Sequence, residues 1–415
     1  MRDTLMTPFD DTAKFAPEAD LIPDLIVDAR LSTKDRAAIH SRAVALVRQI
    51  REGEKPGIME QFLGEYGLST EEGVALMCLA EALLRVPDPD TIDALIEDKI
   101  APSDWGRHMG QAASPLVNAS TWALMLTGRV LDDHQPGVAG TLRGMVRRLG
   151  EPVIRVAVGQ AMREMGRQFV LGETIEDAIK RAKKQEDKGY TYSYDMLGEA
   201  ARTARDARRY HEAYSHAIER MGHVARDKPV AESPGISIKL SALHPRYEVA
   251  QEDRVMRELV PIVTDLARQA AEANIGLNID AEEQDRLALS LKVIAAVLSN
   301  PALHGWNGFG VVVQAYGKRA GAVIDWLHAT AEALDRKIMV RLVKGAYWDT
   351  EMKHAQVEGH PGFPLFTTKP ATDVSYLANA RKLIGYADRL YPQFATHNAH
   401  TVAAILHMAE GVDYE

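Results

Sequence analysis

The sequence predicts an α/β protein: an extended N-terminal arm over residues 1–30, an all-helical domain over 31–170, and a (β/α)8-type TIM barrel over 171–415, of which about six strands are present. Three observations predict it. Short strand-like runs begin near residues 190, 236, 276, 310, 338 and 393, and helix-length segments separate most of them, the rhythm of right-handed βαβ units in a parallel sheet. Upstream of residue 188 the apolar residues recur at helical spacing. Finally, the runs Ile236–Leu240, Gly276–Asp280, Val311–Gln314, Ile338–Lys344 and Phe394–His397 each end on a charged or polar group. In a barrel of this kind the site is built where strands run out into the following loops.

In chain order, residues 1–30 show little periodicity and carry prolines at 8, 17 and 23, which reads as an arm. Ser32 is a candidate N-cap with Asp35 three residues on, Ala38, Ile39, Ala43, Leu46, Val47 and Ile50 form an apolar stripe, and Gly53 closes the segment. Ser69 and Glu72 form a capping-box pair for a helix reading Val74 to Leu84, and Asp90 or Thr91 can cap the next. The helical domain concentrates no reactive groups and reads as scaffold. Tyr190–Leu197 is aromatic and strand-like and opens the barrel, and residues 358–370, rich in Gly and Pro, read as a long loop over the site.

Composition narrows the function classes. A length of 415 residues fits two units, and 46% hydrophobic residues suffice for a sizeable core. A formal net charge of −9 argues against general affinity for nucleic acid or anionic lipid, so no nucleic-acid partner is expected. No apolar run approaches the ~20 residues of a transmembrane segment, and the first residues resemble no signal peptide. Cys78 is the single cysteine, which rules out an internal disulfide and a cysteine-based metal cluster; its apolar helical setting reads as an inert core thiol.

The strand ends carry the chemistry. Arg341 and Lys344 lie three residues apart, followed by Gly345-Ala346 and the aromatics Tyr347 and Trp348. This suits an anionic, planar, partly phosphorylated ligand, and equally an exposed strand end with solvated charges. Gly317-Lys318-Arg319 adds positive charge, and Thr367, Thr368, Lys369 and Thr372 add hydroxyls and another cation. No G-x-G-x-x-G follows a strand and no Walker loop occurs, so neither dinucleotide fingerprint is encoded. Asp280, Glu282 and Glu283 with His397 and His400 raise a metal site, but no strand carries H-x-H, and an organic cofactor is the expectation, with no metal. Asp280 ends an apolar strand and needs a cation, for which Lys239 on the adjacent strand end is the candidate. Lys239 or Lys344 as a Schiff-base lysine is the competing reading.

With these residues placed, GISIKLSALHPRY, NIDAEE, VVVQAYGKR, RLVKGAYWDTE, TDVSYLANARKL and YPQFATHNAHT resemble the proline dehydrogenase domain of the proline utilization A flavoenzymes. EGVALMCLAEALLRVPD and GETIEDAIKRAKKQEDKGYTYSYDMLGEAA extend the resemblance to the helical region. The resemblance implies a distorted barrel binding FAD and oxidising L-proline to Δ1-pyrroline-5-carboxylate, by hydride transfer to flavin N5, with electrons passed to a membrane quinone. It implies that Arg341 sits by flavin N5, and that Asp280, Ala281, Gln314, Val343, Lys344, Gly345, Ala346, Trp348, Thr372, His397 and Asn398 contact the flavin. Lys239 would help hold the proline carboxylate, Asp280 would lie beside the substrate, and Leu342 and Tyr347 would wall the proline ring. A cytoplasmic protein, peripheral at the inner membrane, is implied; a homo-oligomer is left open.

Three departures from the family pattern shape the remaining expectations. The Arg-Arg-x-x-Glu motif that grips the proline carboxylate would lie beyond residue 415; Arg208-Arg209-Tyr-His-Glu212 fits it by letters only and reads as a solvated helix face. No aldehyde dehydrogenase domain and no N-terminal ribbon-helix-helix segment is present, so no NAD site and no promoter binding are expected. Because the residues from Tyr190 onward fall short of the ~250 of a closed barrel, the alternative reading is a truncated, non-catalytic remnant or half of a split enzyme.

Overall fold

The computed structural model describes residues 9–53, 170–225 and 228–412. The chain divides into two units, one of Met1–Glu52 with Ala182–Glu415 and the other of Gly53–Arg181. The Ser69–Glu72 cap, the Val74–Leu84 helix with Cys78, and the Asp90 or Thr91 cap lie outside the described residues. In the second unit, Arg181 donates from its guanidinium to the carbonyls of Val170 and Leu171 at 2.9 and 2.7 Å.

The larger unit is built on six parallel strands in the order of the chain: β1 Ser193–Asp195, β2 Gly235–Ile238, β3 Gly276–Ile279, β4 Phe309–Gln314, β5 Ile338–Val343 and β6 Leu390–Phe394. The register places Ser193 beside Gly235, Ser237 beside Asn278, Asn278 beside Gly310, Val312 beside Arg341, and Arg341 beside Gln393. Since successive strand residues point to opposite faces, one face collects Ile236, Ile238, Leu277, Ile279, Val311, Val313, Val340 and Leu342, all at most 3% exposed. The other face collects small and polar groups: Ser193, Ser237, Asn278, Gly310, Gln314 and Arg341. The apolar face is covered by helices and the polar face looks inward, which is how a barrel-forming sheet divides its two sides. Gly310 is required on that inner face, because a Cβ there would overlap Asn278 Oδ1.

Among the described residues the longer helices are α1 Glu18–Asp28, α2 Thr33–Glu52, α3 Ile175–Glu186, α4 Ala204–Gly222, α5 Glu252–Glu272, α6 Leu287–Leu298, α7 Ala320–Ala333, α8 Trp348–Val357, α9 Lys369–Gly385 and α10 Ala399–Met408. A one-turn helix, Leu240–Leu243, follows β2. Thr203 and Asp206 close a reciprocal capping box on α4, whose Ala207, Tyr214, Ile218 and Met221 form its buried stripe. Ser32 and Asp35 cap α2 as the sequence predicts, with Asp35 N–H donating to Ser32 Oγ at 3.2 Å and Ser32 N–H donating to Asp35 Oδ2 at 2.9 Å.

Four expectations are corrected. The arm over 1–30 is not extended: Thr12–Phe15 is a 3-10 turn and α1 follows, with Pro23 inside it. Pro17 at its N-cap and Glu18 and Asp20 in its first turn favour that start, and the helix packs against α9 with Leu21, Ile22 and Leu25 half-buried. The boundary at 31 moves to 53, because α2 packs on α10, where His407 Nε2 lies 3.1 Å from Asp35 Oδ1 and Arg42 pairs with Glu410 at 2.9 Å. The apolar stripe of α2 ends early, as Ile50 is 77% exposed. The last strand is Leu390–Phe394 rather than Phe394–His397; Pro392 disguises it, since proline is tolerated in a strand only where its missing N–H is not needed.

Candidate active site

Arg341 projects from β5 into the inner face. Its NH1 donates to Ser237 Oγ on β2 at 2.8 Å and its NH2 to Ser193 Oγ on β1 at 2.6 Å. Strand β5 is three neighbours away from β2 and four from β1 in the sheet, so these bonds require the sheet to curl until its strands face one another. Burial lowers the pKa of Arg341, and the nearby carboxylates Asp280 and Asp195 act against that; the guanidinium stays a cation.

Beside it lies a second charged group. Lys239 Nζ is 2.7 Å from Asp280 Oδ2 and 3.5 Å from Asp195 Oδ1. Burial pulls the pKa of Lys239 down, but the hydrogen bond and attraction of Asp280, then Asp195, outweigh it and raise the value above that of a free lysine. A lysine held in this way is not poised as a free amine, which argues against the Schiff-base reading of Lys239. The Asp195 carboxyl is raised, by burial and by Asp280, against the pull of Lys239.

The exits of β3, β4 and β5 are stitched together by Gln314. Its Nε2 donates to the Glu282 carbonyl at 2.9 Å and its Oε1 accepts from Ala346 N–H at 3.2 Å. Glu282 is held by Ser241 N–H at 3.0 Å, and burial raises its pKa. Gly345 has φ +139°, and its missing Cβ makes room for the Tyr316 ring. Tyr347 donates its hydroxyl to Glu199 Oε2 at 3.0 Å; burial first, and then the Glu199 carboxylate, raise its pKa. Trp348 opens α8 with its Nε1 donating to the Phe366 carbonyl at 3.0 Å. Lys344 pairs with Asp373 on α9 and lies 5.9 Å from the Tyr376 ring centre. Thr372 is buried one turn into α9, behind the Thr368 cap. Residues 358–368 form the expected loop and are tied down: Phe366 N–H donates to the Tyr316 carbonyl at 2.8 Å and Lys318 N–H to the Pro364 carbonyl at 3.2 Å.

Several predicted positions do not join this cluster. Leu342 is fully buried on the face of β5 opposite Arg341, so the ring-walling place expected of it is not where its side chain lies. Arg319 is 1% exposed and bound to Asp11 and to the Gln284 carbonyl, and Lys318 Nζ donates to the Ala16 carbonyl at 2.8 Å. Both cations anchor the N-terminal segment instead of adding charge to the site. Val343 is on the inner face beside Gln314, and Ala281 lies between Asp280 and Glu282. His397 is exposed beyond β6, and Asn398 is the N-cap of α10, accepting from Thr401 N–H at 3.0 Å. Arg209 of the Arg-Arg-x-x-Glu look-alike is 71% exposed on α4, as expected of a solvated face. Ser193, Ser237, Asp195, Glu199 and Asp373 were not singled out by sequence; of these, Asp195 carries a usable signal, an acid ending the first strand.

A parallel barrel sheet whose inner face holds an arginine and whose strand ends hold a lysine between two acids defines a barrel enzyme. Residues 178–415 match the family described as Proline dehydrogenase, and residues 11–51 match the Proline utilization A proline dehydrogenase N-terminal domain. The chain belongs to the proline dehydrogenase family. It is 51% identical over 398 residues to the Bifunctional protein PutA of Salmonella typhimurium strain LT2, covering 95% of this chain and 30% of that protein. The PutA of Rhizobium meliloti is 51% identical over 400 residues, 96% of this chain and 32% of that one. A solved structure of a mutant Bradyrhizobium japonicum Proline Utilization A superposes with TM-score 0.73 at 51% identity, covering 98% of this chain and 41% of its own. The chain thus spans about a third of the length of the curated relatives it matches.

Residues 58–169 match a family described as DNA-binding domain of Proline dehydrogenase. This runs against the expectation of no nucleic-acid partner. The segment is itself net acidic, and its arginines Arg143, Arg147, Arg148, Arg155, Arg163 and Arg167 gather toward its end, a local pattern that a net charge does not report.

Proposed function

We propose that the barrel carries out FAD-dependent oxidation of L-proline to Δ1-pyrroline-5-carboxylate, with the electrons passed on to a quinone. The observation that carries this reading is Arg341, a cation on the inner face of the barrel whose hydrogen-bond partners are neutral hydroxyls. Such a group suits a ligand that becomes anionic on reduction, and in this respect the residues fit a flavin. When bound, FAD would accept a hydride at its ring N5 and so supply the redox chemistry. Gln314, Val343, Lys344, Gly345, Ala346, Trp348 and Thr372, at the exits of β4 and β5 and on α9, are the residues that would hold it, with Asp280 and Ala281 at the exit of β3.

Lys239 has three N–H donors. Asp280 accepts from one of them and Asp195 lies at ion-pair distance, which leaves donor capacity for the carboxylate of a substrate. Asp280 keeps Lys239 charged and oriented for that task. Tyr347 keeps its hydroxyl on Glu199 and offers its ring as an apolar wall for a small saturated ring. Proline would react as the free amine, losing hydride from the ring carbon next to nitrogen. We place the protein in the cytoplasm, peripheral at the inner membrane where a quinone is reached; among the described residues no helix is long and apolar enough to cross a membrane.

The test is direct. The purified protein is expected to carry, or take up, FAD with its visible absorbance, and to reduce a dye only when L-proline is added. A colourless protein that cannot be reconstituted with FAD overturns the reading.

A further inference from the structure

The polar groups around Arg341 and Lys239 are sorted by charge. Two acids stand near both cations, yet Asp280 and Asp195 both bond to Lys239, at 2.7 and 3.5 Å. Among the described residues no carboxylate forms an ion pair with Arg341; its guanidinium is held by Ser237 Oγ at 2.8 Å and Ser193 Oγ at 2.6 Å. A hydroxyl oxygen orients a guanidinium without cancelling its charge, whereas a carboxylate would do both. We propose that Ser193 and Ser237 are positioning residues that fix Arg341 without a paired carboxylate, while Lys239 draws the acids to itself, so that the one unpaired cation of this group faces a cofactor gaining negative charge. This rests on the flavin reading above.

The placement is built into the register. Ser237 is 1% exposed and sits on the inner face between Asp195 and Asn278 of the neighbouring strands. Ser193 begins β1, two residues before Asp195, so one short strand supplies both a hydroxyl to Arg341 and an acid to Lys239. Neither serine needs to touch substrate for this role. Exchanging either for an acid would neutralise Arg341; exchanging it for alanine would leave the charge but free the guanidinium to turn toward Asp280 and Asp195.

The experiment uses the FAD-loaded protein and compares wild type with Ser193→Ala, Ser237→Ala, Ser193→Thr and Arg341→Met. The readout is the equilibrium of flavin reduction against a reference dye, together with flavin content and melting temperature. Each alanine variant is expected to keep its flavin and its melting temperature while reduction becomes about tenfold less favourable, the scale of one charge-assisted hydrogen bond. Ser193→Thr, which retains the hydroxyl, restores the wild-type equilibrium. A wild-type equilibrium in flavin-loaded Ser193→Ala and Ser237→Ala overturns the proposal while leaving the flavin reading intact. Wild-type protein without FAD uptake overturns both, whereas a flavin-loaded Arg341→Met variant reduced as easily as wild type overturns the proposal and leaves the flavin reading intact. If the buried Ser237→Ala variant does not fold, Ser193→Ala, at an exposed position, decides the matter alone.

Discussion

Lys239 Nζ lies 2.7 Å from Asp280 Oδ2, and both side chains are 15% exposed. The two residues end adjacent parallel strands, so their pairing follows from register, and among the described residues no carboxylate forms an ion pair with Arg341.

Removing the lysine should therefore act twice. In Lys239→Met, Asp280 and Asp195 lose their common partner and Arg341 becomes the nearest cation to both. Stability should fall by about 1.5–3 kcal/mol, the scale of a hydrogen bond between charged groups, seen as a lower urea midpoint at unchanged slope. The KM for proline should rise by at least roughly tenfold. A variant with wild-type KM would remove Lys239 from substrate binding.

Gly345 is committed to its backbone. At φ +139°, with the Tyr316 ring where its Cβ would be, Gly345→Ala strains the turn and displaces a buried aromatic. The cost should be about 1–3 kcal/mol. The Ala346 N–H bond to Gln314 should be lost with it, so FAD content on purification should drop along with the melting temperature. Full flavin content at a lowered melting temperature would show that this turn does not shape the cofactor site.

Tyr347 separates ring from hydroxyl. Tyr347→Phe keeps the wall and gives up only the bond to partly exposed Glu199, so the proline KM should change by no more than roughly threefold. Tyr347→Ala removes an apolar wall worth ~1.5–3 kcal/mol, so kcat/KM should fall by roughly tenfold or more. Equal losses in the two variants would shift the role from the ring to the hydroxyl.

Asp35 gives a pH signature for the cap of α2 and, in second place, for its contact with His407 of α10. The Ser32 hydroxyl, and after it His407, hold its pKa at about 2, against an ordinary value of 3.8. Because the folded value is the lower one, the stabilisation is present above pH 3.8 and is lost as pH falls toward about 2. Urea midpoints of wild type should decline more steeply across that window than those of Asp35→Asn. Parallel curves would show that the pair contributes nothing to acid stability.

Much of this was legible in the sequence. The alternation of strand-like and helical segments placed five of six strands within a few residues, because side-chain periodicity reports local backbone geometry. The pairing of Lys239 with Asp280 was legible too, since two strand ends with opposite charges in successive βα units have few other places to go. The helix α1 was not, because Pro23 and a weak pattern hide a helix whose packing partner is α9, more than three hundred residues away in the chain. Pro392 hid β6 in the same manner.

By itself the sequence determined the fold class, the strand ends that carry the charged groups, and the family. Only the tertiary structure decided which of those groups meet: Arg341 with Ser193 and Tyr347 with Glu199, each 148 residues apart, and Lys344 with Asp373. The physical reason is that periodicity fixes which face of a strand a side chain occupies, whereas its partners depend on how far the sheet curls. It is the curl that brings β1 across to β5 and gives Arg341 hydroxyls to bond.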